Sequence, residues 1–191
     1  MDCRRDRLRA ATGPLHGLVE QMIERSGLFN DLQGYGHFLA AMHRFHACAE
    51  KALREAARKH LAPGWRQPAS ARLLRGDLSA IGLAPAKRQP VPVLANRGAV
   101  LGLRYVIQGS ALGATQLLPR ALALGVSAGR GGAFLTHHAA CTREWPDYLS
   151  QLEGAELGPA ELDSMEDTAR QGFELVGDCL RSRCCAMEVH A

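Results

Sequence analysis

Aromatic residues are scarce in this chain, with two Trp, three Tyr and five Phe among 191 residues. A core has to be assembled mostly from aliphatic side chains, and Ala, Leu and Arg abound. No stretch alternates apolar and polar residues with the period of two that a half-buried strand requires, which speaks against a sheet. No apolar run is long and clean enough for a membrane span, since the best candidate, residues 98–118, contains Arg104 and Gln108. The N-terminus lacks the apolar core of a signal peptide, so the expectation is a soluble, cytoplasmic protein with no membrane contact. Strong charge of either sign is missing too. With 23 basic and 19 acidic residues the formal net charge is +4, too mild to point to nucleic acid, though it suits a small acidic redox partner.

What is present is helical periodicity. Phe38, Leu39, Ala41, Met42, Phe45, Ala49 and Leu53 recur at spacings of three and four, as do Leu162, Met165, Ala169, Phe173, Val176 and Leu180. The length suits one domain with a sizeable core. The reading is therefore an all-α, single-domain bundle over 1–191, with helices near 6–25, 31–60, 70–80, 97–124, 129–153 and 159–185. Loops are expected at 61–69 and 82–92, and a disordered tail at 186–191. Pro119 predicts a kink or an end near Leu118, and Gly13-Pro14 predicts a kink or a fresh start in the first helix.

Two segments carry chemistry. Between Tyr105 and Gln116 an otherwise good helix contains Gly109 and Gly113, with Gly102 one further step back on the same face. Each interior glycine costs roughly 1 kcal/mol relative to Ala. A face without side chains lets a flat ligand lie against backbone, and equally lets a second helix approach closely. His16, in Leu8-Arg9-Ala10-Ala11-Thr12-Gly13-Pro14-Leu15-His16-Gly17-Leu18-Val19-Glu20, offers an imidazole able to ligate haem iron, or to serve only as a packed or surface His. Glu20 lies one turn beyond, placed to hold the ring's other N–H, and Arg9 lies two turns before, within reach of a carboxylate. Taken together the segments suggest a haem between two helices.

These residues resemble the haem oxygenase family, bacterial type. Leu8 to Glu20 is similar to that family's proximal helix, in which an Ala-Thr-x-x-x-His stretch supplies the iron ligand. Tyr105 to Gln116 is similar to its distal helix, where Gly109 and Gly113 match a Gly-Ser-x-Leu-Gly-Ala pattern. The resemblance covers most of the chain. It implies that His16 is the axial ligand, that Gly109, Ser110 and Gly113 form the catalytic face, and that Arg9 and Tyr105 hold propionates, with Arg181 or Arg183 as a further contact. It also implies cleavage of haem at a meso carbon to biliverdin, carbon monoxide and ferrous iron. Dioxygen is then the co-substrate, and electrons come from a ferredoxin- or flavodoxin-type donor. The product would serve iron acquisition or supply a bacteriophytochrome. Ser110 stands where the animal enzymes carry Asp; a hydroxyl donates and accepts but brings no charge, so proton delivery would depend on ordered water and backbone carbonyls.

Other constellations compete. His43, His46 and Glu50 would suit a di-iron site in a bundle, but the Glu-x-x-His repeats of such sites are missing; His37, His43, His46, His137 and His138 read as surface or interhelix hydrogen-bonding residues. A thiaminase-like helical enzyme needs an activated thiol, for which Cys141 is the mid-chain candidate. A haem carrier or sensor would place a strong ligand opposite His16, where Gly109 and Gly113 leave an open position. Six cysteines (Cys3, Cys48, Cys141, Cys179, Cys184 and Cys185) show no metal-type spacing and are expected as free thiols. The vicinal pair Cys184-Cys185 suggests either a redox or haem-regulatory role or an incidental placement at a frayed end.

Overall fold

A computed structural model describes residues 3–63, 65–66, 68–85 and 92–182. The described residues form α1 (Arg4–Arg25), α2 (Leu32–Arg58), α3 (Ser70–Ala80), α4 (Arg97–Ala123), α5 (Ala133–Ala140), a single 3-10 turn (Cys141–Glu144), α6 (Trp145–Gly154) and α7 (Pro159–Arg181). The all-helical reading holds. The expectations for Arg183, Cys184-Cys185 and the tail at 186–191 lie outside the described residues.

The helix starts follow from local chemistry. Asp31 accepts from the Gly34 amide at 2.7 Å to open α2, and Asn96 accepts from the Ala99 amide at 2.9 Å to open α4. At the start of α7, Pro159 occupies the first turn and Glu161 reaches back to the Gly158 amide at 3.2 Å. Two further starts are capped by carboxylates from other helices. Glu50 of α2 accepts from Ala71 of α3 at 2.8 Å, and Asp77 of α3 accepts from Ala133 and Phe134 of α5 at 2.9 and 2.7 Å.

Three sequence expectations need correction. Helix α1 runs on through Gly13-Pro14 without a fresh start, and α4 spans Arg97–Ala123, as the expected helix at 97–124 has it, so Pro119 does not end it near Leu118. Both prolines are exposed, as are Ala10 and Thr115 four residues before them. The carbonyls that lose a partner therefore face solvent, and the ring clash is relieved outward. The expected helix at 129–153 is three pieces: α5, the 3-10 turn and α6. Pro146 lacks an N–H and suits the first turn of a new helix rather than the middle of an old one.

Helix α7 is the spine: α1, α2 and α4 all pack on it. The closest approach is with α4, where a Cβ on Gly98 would strike the Glu161 carbonyl and one on Gly102 the Met165 carbonyl. Leu103 and Val106 of α4, with Met165 and Ala169 of α7, fill the same seam. Arg44 of α2, buried to 4% exposure, donates to the carbonyls of Cys179 and Ser182 at 2.6 and 2.7 Å and so finishes the end of α7.

Candidate functional site

Past Gly102 the partners of α4 change. Tyr105 of α4 lies beside Thr12 of α1, whose hydroxyl lowers its pKa, and further along Arg120 of α4 pairs with Glu24 of α1 at 2.5 Å. The two helices therefore run in the same direction, joined at these points. At a rise of about 1.5 Å per residue the intervening segments are about 18 Å of α1 and about 22 Å of α4. Between these two points lie His16 and Glu20 on α1 and Gly109 and Gly113 on α4, and the strip they border is called the slot.

The glycines have divided roles. Gly98 and Gly102 serve helix packing, as the alternative reading of the stripe had it. Gly113 is exposed and a Cβ built there meets nothing within 4 Å; at Gly109 it meets only the Trp145 ring, at 3.7 Å. Trp145, the first residue of α6, lies against Gly109, and Gly113 one turn further on is bare backbone open to solvent.

On the other wall His16 is exposed, with its ring edge-on to Phe173 of α7 at 5.6 Å between centroids. Nδ1 lies 3.5 Å from a Glu20 carboxylate oxygen, which leaves Nε2 directed away from that partner. A carboxylate on Nδ1 fixes the tautomer in which Nε2 is the free lone pair, the form a metal needs. Arg9 is exposed and carries no ion pair among the described residues. It acts on Tyr105, whose hydroxyl is pushed up by burial while the Thr12 hydrogen bond and the charges of Arg5 and Arg9 pull the other way. Arg9, Thr12 and Tyr105 thus form a cationic, hydrogen-bonding corner at one end of the slot.

Ser110, next to Gly109, donates to the Ile107 carbonyl at 2.7 Å and lies 2.8 Å from Nε2 of His138. With its single proton committed to Ile107, the hydroxyl accepts from His138 Nε2–H. His138 stacks on Phe134 at 5.0 Å and meets His46 edge-on at 5.4 Å. Burial lowers the His138 pKa to about 4, aided by the charge of His137, and burial drives His46 well below its ordinary value. Both rings are neutral near pH 7. His43 is buried as well, with neither ring nitrogen hydrogen-bonded, so His43, His46 and His138 are interior rather than surface residues. His37 is half-buried, and His137 is exposed, as expected.

Arg181 is not brought to the slot. It pairs with Asp178 at 2.5 Å and lies 3.9 Å from the Met22 sulfur, lining a separate pocket of about 430 Å³ with Leu18, Arg25 and Leu28. Leu18 and Arg25 point roughly half a turn around α1 from His16. The rival sites fare less well. No group of three or more His, Cys, Asp and Glu among the described residues is placed to hold a metal, and Glu50 is engaged in capping α3. Burial raises the Cys141 thiol, away from the reactive thiolate.

Sequence reasoning missed Phe173, His138, Glu24 and Arg120. Phe173 was legible only as one member of an apolar stripe, and the other three are distant in sequence from the residues they serve.

The residues of the slot fit a haem: an imidazole with one nitrogen free, a facing wall without side chains, and a cationic corner for carboxylates. The Heme oxygenase family model matches residues 5–182, and the chain belongs to that family. It is 28% identical over 180 residues to "Heme oxygenase PigA" of Pseudomonas aeruginosa, covering 93% of this chain and 91% of that protein. Its fold is similar to that of the heme oxygenase of Neisseria meningitidis solved with NO and CO bound. There the TM-score is 0.82 at 24% identity, covering 95% of this chain and 92% of the other. No helix among the described residues is long and apolar enough to cross a membrane.

Proposed function

We propose that this protein degrades haem, holding it in the slot between α1 and α4 with His16 as axial ligand. Haem, as both cofactor and substrate, would supply the iron on which dioxygen is activated with electrons from an external donor, giving biliverdin, carbon monoxide and ferrous iron. His16, on α1, would hold the iron through Nε2, the ring nitrogen turned away from Glu20. Glu20 keeps the imidazole in the required tautomer and makes it more basic. Arg9 and Tyr105 hold the propionates through charge and hydrogen bonding. Gly109 and Gly113 present backbone without side chains, which would let a haem lie close to α4 and leave room for a diatomic ligand.

Ser110 contributes an oriented hydroxyl on that face. Its partner His138 is neutral and receives no proton at physiological pH, so the pair positions a hydrogen-bond network and does not act as a strong acid. Arg5 and Arg9, exposed and without an ion pair among the described residues, favour an acidic ferredoxin- or flavodoxin-type donor.

The observation that carries this reading is the bare backbone at Gly113 on α4, together with His16 paired to Glu20 on α1. Mixing the protein with hemin and then adding a ferredoxin reducing system in air tests it. The expected result is decay of the Soret band into a biliverdin spectrum. A stable oxygenated or doubly ligated complex would instead identify a carrier or sensor.

A further inference from the structure

The far end of the slot holds a second cation. Arg120 follows Gly113 by seven residues, two turns further along the same face of α4, much as Arg9 precedes His16 by two turns on α1. Its guanidinium lies 4.9 Å above the ring of Phe29, a side chain only 7% exposed, and is bonded to Glu24. The slot therefore has an anion-binding cation at each end. They differ in one respect: Arg9 is unpaired, whereas Arg120 already carries a carboxylate.

We propose that Glu24 acts as a built-in substitute for a propionate, neutralising Arg120 so that haem carboxylates are directed to the Arg9–Tyr105 end, and that this pairing sets the in-plane orientation of the ligand. The inference rests on the reading of the slot as a haem site. A flat, nearly symmetric ring between two helix walls is held against rotation chiefly by its carboxylates, and those go where an unpaired cation waits. The meso carbon presented to the oxygen-binding face changes with that rotation. An exposed ion pair is weak, but Glu24 only has to make Arg120 a poorer partner for a carboxylate than Arg9, which has no ion pair among the described residues. Its effect is to remove the advantage Arg120 would otherwise offer. The Phe29 contact keeps the guanidinium at the slot's end whether or not Glu24 is present.

The test compares Glu24→Gln and the double variant Glu24→Gln/Arg120→Ala with the natural chain, each loaded with hemin. The paramagnetically shifted haem methyl resonances of the ferric complex report in-plane orientation without turnover. The natural chain is expected to give one dominant set. Glu24→Gln should add a second set amounting to a tenth or more of the total, matched by a second biliverdin isomer under reducing turnover, and the double variant should return to one set. A single unchanged set in Glu24→Gln, or a second set that persists when Arg120 is also removed, overturns the inference. Failure of the natural chain to bind hemin saturably would overturn the functional reading itself, a distinct result seen in the same titration.

Discussion

The hydroxyl of Ser110 sits 2.8 Å from Nε2 of His138, joining the glycine face of α4 to a buried histidine on α5. The position of α5 in turn depends on Asp77, whose two carboxylate oxygens take the first amides of that helix. Asp77 and His138, far from Ser110 in sequence, thereby fix its hydroxyl beside Gly109.

The His138 relationship predicts a pH dependence. Its pKa is lowered from 6.5 to about 4 by burial, so the unfolded chain binds a proton that the folded chain refuses. The resulting stability is fully present above pH 6.5 and is lost as the pH falls toward 4, by a few kcal/mol in order of magnitude. His46, lowered in the same direction, adds to the loss. Denaturant midpoints measured between pH 7 and 4 should fall steeply in the natural chain and less steeply in His138→Phe.

The divided glycine stripe predicts opposite outcomes along one helix. Gly113→Ala meets open space and removes a flexible residue from a helix interior, so it should stabilise by roughly 0.5–1 kcal/mol. Gly102→Ala drives a methyl into the Met165 carbonyl and should cost roughly 1–3 kcal/mol or more. Thermal denaturation of both variants checks the contrast. Gly113→Leu should leave the fold intact yet weaken hemin binding by at least tenfold, because the side chain fills the slot.

The Arg9–Tyr105 corner predicts a salt-sensitive contribution to binding. Arg9→Ala combined with Tyr105→Phe should weaken hemin affinity by roughly 1–3 kcal/mol, and raising ionic strength should narrow the gap between the variant and the natural chain. Optical titrations at low and high salt provide the comparison.

Much of this was legible in the sequence. Apolar spacing at three and four placed α2 and α7, because burying one face of a helix leaves that imprint. The pairing of His16 with Glu20 could be read because the two lie one turn apart on one helix. Pro14 and Pro119 misled, since exposure, which decides whether a proline breaks a helix, depends on tertiary packing. The break at Trp145-Pro146 was missed for the related reason that a proline at a helix start looks like a proline inside one. The stripe could not be divided between Gly102 and Gly113 without knowing where α7 stops covering α4. The Ser110–His138 and Glu24–Arg120 contacts span 28 and 96 residues, and no local pattern announces them.

The central claim is that His16 binds haem iron in the slot between α1 and α4, and an optical titration with hemin of the natural chain beside His16→Ala tests it most directly. The predicted result is a saturable one-to-one complex with histidine ligation. In His16→Ala that ligation is lost and then restored by added imidazole, with the far-ultraviolet helical spectrum unchanged throughout. The same axial ligation in His16→Ala as in the natural chain would contradict the assignment.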